Sequence, residues 1–196
     1  MACGVVQSTL SLVSMNYFHI DSGSQHRTGW PEFRIGEEFT VGDKINPIYT
    51  TWMNSVTRTG LGITEKDIFQ SVAVMLRELA FENLRARDYS ARPSRTSCLW
   101  LCDSEESARY WVKKIPHTGK KRVLEVEILE GKLHKVYEEH LTNKLENINE
   151  IEVRAHKYWS GQGNGECEIL FQGVLRIVRE LQISPFIQTD AVSLRG

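Results

Sequence analysis

Residues 64–87 carry the sequence's strongest constraint on its own folding. Thr64 stands where a helix cap is needed, with Asp67 at the third helical position, and Ile63 and Ile68 are spaced as a hydrophobic staple. Ile68, Val72, Met75, Leu76, Leu79 and Leu84 then recur at helical period. The spacing predicts a long amphipathic helix with this stripe as its apolar face. Pro93 stops it from continuing.

The second half of the chain changes period. "RVLEVEIL" (122–129) alternates, which points Leu124, Val126 and Ile128 inward and Glu125 and Glu127 outward. "NYFHI" (16–20) and "TSCLWLC" (96–102) are short strand-like runs. "ECEILFQ" and "VLRIVRELQI" read as two more, separated by Gly173. Between them, Asp103 or Ser104 can cap the helix "SEESARYWVKK", acidic at its start and basic at its end. "LENINEIEVRAHKYW" forms a further amphipathic helix with Ile148, Ile151, Ala155 and Tyr158, ended by Gly161, Gly163 and Gly165. The stretch from Asp21 to Phe39, studded with Gly23, Gly29, Pro31 and Gly36, reads as a long loop. The expected fold is α+β: helices flanking a mainly antiparallel pair of sheets.

At 196 residues and 22.5 kDa the chain suits one domain spanning 1–196. With 41% hydrophobic residues, 25% charged and a net charge of -1, it does not advertise a nucleic-acid or membrane partner. No run is long and apolar enough for a membrane span, and "MACGVVQSTLSLVS" does not read as a signal peptide. Cys3, Cys98, Cys102 and Cys167 are scattered without a CxxC pair, as expected of reduced cytoplasmic thiols rather than a zinc site. Cys98 and Cys102 share a strand face as small buried groups. No metal site is expected.

"GECEIL" (165–170) places Glu166 and Glu168 two apart, on one face of an extended chain. By itself such a pair is usually a solvated strand face, as Glu125 and Glu127 illustrate. Three segments in order change its weight: "YFHI", "PSRTSCLWLCDSEESARYW" and "YWSGQGNGECEILFQG". Together they resemble the ADP-ribosyltransferase superfamily, from about residue 16 to about 182.

The resemblance implies a split two-sheet β core flanked by helices that clamps NAD+. It puts His19 at the adenosine side and Ser94, Thr96 and Ser97 around the nicotinamide. Glu168 takes the place of the catalytic glutamate and Glu166 that of its companion. The arginine branch of the superfamily has Arg where His19 stands. The histidine branch carries a tyrosine in the middle motif, where Trp100 stands here with Tyr110 further on. Arg27, Arg34 and Arg95 are candidates for the pyrophosphate, as planar donor forks.

The chemistry suits these residue types. Breaking the nicotinamide–ribose bond builds positive charge on the ribose, which a carboxylate at Glu168 stabilises. A second carboxylate at Glu166 can orient the nucleophile or take its proton. The resemblance implies a mono-ADP-ribosyltransferase, an intracellular toxin or phage-defence effector. Its acceptor would be a protein or a nucleic acid, and an antitoxin would neutralise it. The alternatives are an NAD+ glycohydrolase, an RNA 2'-phosphotransferase-like enzyme, or a non-catalytic binding module. The basic run "KKIPHTGKKR" (113–122) reads as a solvated helix end or as a contact to a phosphate backbone.

Overall fold

The computed structural model describes residues 16–22, 30, 32–54, 62–115 and 121–182. They form a mixed α+β structure of five strands and four helices. In chain order these are β1 (Tyr17–Asp21), β2 (Glu38–Val41), α1 (Pro47–Asn54), α2 (Glu65–Asp88), β3 (Leu99–Leu101), α3 (Glu105–Lys114), β4 (Arg122–Tyr137), α4 (Ile148–Trp159) and β5 (Cys167–Leu181). Every described strand pairing is antiparallel, in the order β1-β4-β5-β2, with β3 also paired to β5.

The local signals explain the helix ends. Thr64 caps α2 in a reciprocal box with Asp67, whose carboxylate accepts from the Thr64 N–H at 2.9 Å. Ser104, rather than Asp103, caps α3. Asn147 caps α4 in a box with Glu150, so this helix starts at Ile148 and not at Leu145.

One long bent antiparallel pair, β4–β5, organises the sheet, with α4 in the connection between the two strands. The sequence reads two strands after Gly165 because Gly173 interrupts the pattern. The structure runs straight through it as one strand, and β4 continues well past Leu129. A β-bulge between Ile128 and Glu130 bends β4 just ahead of Gly131, which faces Gly173. A Cβ on Gly173 would lie 2.2 Å from the Glu130 carbonyl oxygen and 2.5 Å from Gly131 Cα, and its φ is +146°. Only glycine permits the two backbones to approach this closely. Gly173→Ala is therefore expected to cost about 1–3 kcal/mol in urea unfolding; an unchanged midpoint would show that the bend does not depend on it.

The bend accounts for a difference from the expected pair of sheets. Among the described residues there is one sheet, and it curls. Phe18 of β1 and Cys102, just past β3, exchange backbone hydrogen bonds of 3.0 and 2.8 Å. Inside the curl lie Phe33, Val41, Leu99, Leu101, Leu124, Val126, Ile169, Phe171, Leu175 and Ile177. On its outer face α2 and α4 bury Phe81, Leu84, Tyr158 and Trp159 against Val136 and Leu170. Ala108 of α3 packs on Phe18, Cys102 and Val123. Leu124 and Val126 point inward as expected, but Glu125 is also buried, paired with Arg179.

The largest departure from the sequence expectation concerns α2. Its buried residues are Ala73, Arg77, Glu78, Phe81 and Leu84. Of the predicted apolar face, only Leu84 is buried; Ile68, Leu76 and Leu79 are exposed.

His134 on β4 is buried, stacked on Trp159 with ring centroids 6.0 Å apart, and its Nε2 has no partner among the described residues. Burial, with some help from Arg92, pushes its pKa down to about 4. The unfolded chain therefore binds the extra proton first, between about pH 6.5 and 4. His134's contribution to stability is complete above that window and is lost as pH falls through it. His134→Gln should flatten this acid slope in pH-dependent denaturation; an identical slope would exclude the residue as its source.

Candidate active site

The site grows from the turn between α2 and β3. Ser94 Oγ donates to Glu82 Oε1 at 2.7 Å and lies 2.7 Å from Thr96 Oγ1. Gln172 of β5 accepts from the Ser94 N–H at 3.2 Å and donates to Ser97 Oγ at 2.7 Å. Asn46, ahead of α1, donates from its backbone to the Thr96 carbonyl at 2.7 Å and from its side chain to the Cys98 carbonyl at 2.8 Å. These bonds tie α1, α2 and β5 around one short turn. Ser94, Thr96 and Ser97 thus hold the turn together. The turn turns Arg95 inward, where only 1% of its side chain is exposed.

Arg95 sits at the centre of a buried ion cluster. Its Nε and Nη2 donate to the two oxygens of Glu78 at 2.8 and 3.1 Å. Its Nη1 donates to Glu168 Oε1 at 2.6 Å and contacts the Tyr158 hydroxyl. Tyr158 also donates to Glu168 Oε1, at 2.7 Å. Arg77 closes the far side, donating to Glu78 Oε1 at 2.7 Å and to the Thr142 carbonyl at 2.8 Å. Two arginines and two glutamates give a formally neutral set, which is how a protein holds ions away from water.

The electrostatics follow. Burial alone would raise the Glu78 carboxyl, but Arg95 and Arg77 outweigh it and hold the group below the usual carboxylate range. Burial drives the Tyr158 hydroxyl well above its ordinary pKa, so it stays protonated and acts as a donor. Burial and then Glu78 push Tyr49 up to about 12. Cys98 is raised well above its ordinary range by burial, which disqualifies it as a thiolate nucleophile.

Glu168 is the point where this cluster reaches the surface, with 12% of its side chain exposed. Both bonds fall on Oε1. Among the described residues, Oε2 has no protein donor. Trp52 of α1 and Trp100 of β3 lie beside the cluster, 5.7 Å apart and tilted by 59°. The Arg95 guanidinium is 5.7 and 5.8 Å from their centroids. Glu166 lies just before β5, partly exposed, with its carbonyl accepting from the Glu138 N–H at 3.0 Å.

The structure therefore gathers only part of the predicted set. Glu168, Arg95 and Trp100 come together. Arg95 is committed to carboxylates, which leaves it no open fork for a pyrophosphate. His19 pairs with Leu124 and packs edge-on to Phe33 inside the curled sheet, while Glu168 faces α4 on the outside. Its Nδ1 donates to the Trp100 carbonyl at 3.0 Å. Tyr110 donates to Glu138 at 2.8 Å, and Arg34 is exposed beside Glu32 and Glu37. Arg27 lies outside the described residues. Much of the basic run 113–122 is spoken for: Lys114 pairs with Glu138, Lys121 caps the Val112 and Ile115 carbonyls, and Arg122 binds Glu180. Residues 116–120 of that run lie outside the described residues.

Sequence reasoning missed Glu78, Arg77, Tyr158 and Trp52 as site residues. Adjacent Arg77 and Glu78 interrupt the apolar run from Val72 to Phe81, which was a signal. Tyr158 read as core and is core, with only its hydroxyl in the site. A separate cleft of about 770 Å³ opens beside α4, lined among others by Glu146, Asn149, Arg154, Lys157 and Gln162. It includes neither Glu168 nor Arg95, and Arg154 within it is already bound by Glu146 at 2.8 Å.

No described helix is long and apolar enough to cross a membrane. Among the described residues no cluster of three His, Cys, Asp or Glu could hold a metal ion. No curated protein matches the chain. A family model does, over residues 17–184: the protein of unknown function DUF2441. With most of its length matched, the chain belongs to the DUF2441 family.

Proposed function

We propose that the protein is an NAD+-dependent ADP-ribosyltransferase that works through Glu168, on an ADP-ribosyltransferase-like core built around the bent β4–β5 pair. One observation carries the reading: a carboxylate clamped through Oε1 by Arg95 and Tyr158, with Oε2 open at the surface. A fixed anion of this kind suits a reaction whose transition state develops positive charge. Its companion Glu166 and the flanking Trp52 and Trp100 suit the planar, cationic nicotinamide ring of NAD+, which departs as neutral nicotinamide.

In this mechanism Glu168 accepts from the hydroxyls of the nicotinamide-bearing ribose and stabilises the charge at its anomeric carbon. The bond from that carbon to nicotinamide breaks, and nicotinamide leaves with the electron pair. A nucleophile on a macromolecular acceptor forms the new bond and gives up its proton to Glu166. Arg95 and Tyr158 do not touch the reacting atoms; they hold the Glu168 carboxylate in place through Oε1. His19, on the other face of the sheet, has no part in this scheme.

The test incubates the protein with labelled NAD+ and cell lysate, followed by separate protease and RNase digestion. Label on a macromolecule that depends on Glu168 supports the transferase, and the digestion that removes it names the acceptor class. Nicotinamide release without such label would replace it with a glycohydrolase. No turnover in any fraction would leave a binding module.

A further inference from the structure

The exposed side of α2 has an order that its own domain does not use. Phe69, Val72, Leu76, Leu79, Asn83 and Ala86 follow one another at alternating spacings of three and four. This is the seam of a helix that packs against another helix. Most of these side chains are out in solvent: Phe69 is 57% exposed, Leu76 40% and Leu79 43%, with Ile68 at the rim at 44% and Val72 half-buried. Asn83 and Ala86 are exposed as well. The opposite side of the same helix is already buried through Ala73, Phe81 and Leu84. An apolar stripe exposed at Phe69, Leu76 and Leu79 marks an interaction surface.

We propose that two copies of the chain associate through this seam, α2 against α2, antiparallel about a two-fold axis. The charges of the helix choose the partner and the direction. Its first turn carries Glu65 and Asp67 around Lys66, and its last turn Arg85, held by Glu82 at 2.6 Å, and Arg87, bonded to Asp88, so the start is acidic on balance and the end basic. Antiparallel pairing lays each acidic start beside the other copy's basic end and opposes the two helix dipoles. Parallel pairing would stack like on like. The seam is self-complementary in that direction. Phe69 of one copy meets Leu79 of the other, and Val72 meets Leu76. Asn83 then reaches Glu65, where its amide donates to the carboxylate. A single polar residue at a seam position is a common device for setting register. A helix of 24 residues is about 36 Å long, so the four apolar pairs have room in its centre.

Sedimentation velocity on the full chain, from about 1 to 100 µM, tests the association. The expected result is a species of twice the 22.5 kDa chain mass at the upper end. Leu76→Glu and, separately, Phe69→Glu should raise the dissociation constant at least about a hundredfold. Because both positions are exposed, circular dichroism and the melting of the monomer should be unchanged. Direction is read by mixing Phe69→Cys with Leu79→Cys protein under oxidation. The mixed disulfide should form and neither variant should cross-link with itself. A chain that stays monomeric at every concentration, a dimer indifferent to both glutamates, or self-cross-linking at residue 69 would each overturn the proposal. A monomer that binds a different protein through α2 would overturn it too.

Discussion

Glu168→Gln should lower NAD+ turnover by about 10²–10³-fold while leaving the fold intact. Glutamine keeps the length of the side chain and an oxygen to accept from Arg95 and Tyr158, which lie 2.6 and 2.7 Å from Oε1. What it loses is the negative charge that, in the proposed mechanism, faces the ribose. The transition state therefore suffers and the folded state does not. Nicotinamide release from labelled NAD+, measured beside a thermal melt, separates the two. Turnover within a few-fold of wild type would remove Glu168 from the chemistry. A collapse of the melt would assign the carboxylate a structural role instead.

The second large effect is on stability. Arg95→Met should cost about 3–5 kcal/mol in urea unfolding. The buried Glu78 carboxylate is held by Arg95 through two bonds and keeps only Arg77 when they go. A domain is stable by about 5–15 kcal/mol in all, so this single change removes a large part of it. The companion experiment pairs the change with Glu78→Gln. Taking the stranded charge away should recover much of the loss, because it is the unpaired ion that is expensive. A loss below about 1 kcal/mol, or a double variant no better than the single, would mean that water already reaches the cluster. Arg95 acts on the proposed chemistry only through Glu168. Arg95→Lys should therefore lower the turnover rate more than it changes the apparent affinity for NAD+.

The two results are read on one cluster and fail separately. If Glu168→Gln is silent in turnover but Arg95→Met unfolds the protein, the buried ions are a core device without catalytic purpose.

Alternation and capping are written in neighbouring residues, and the sequence determines them by itself. Thr64 with Asp67, Ser104, and the run Leu124, Val126 and Ile128 declare their elements through local hydrogen bonding and side-chain period, and the structure keeps them. The Glu166 and Glu168 pair at the head of a strand was legible for the same reason. Which side of an element is buried is a different matter, because it depends on what lies opposite. The apolar stripe of α2 looked like its core face, yet the fold buries Arg77 and Glu78 and leaves Leu76 and Leu79 in water. Two charged residues became interior only because Arg95, 17 positions on, arrives to neutralise one of them. Gly173 looked like a break between strands. Only with Gly131 across from it does it become the bend of one long strand. His19 and Glu168 fell on opposite faces because strand parity within a curled sheet is set by pairing. No residue's own neighbours record that.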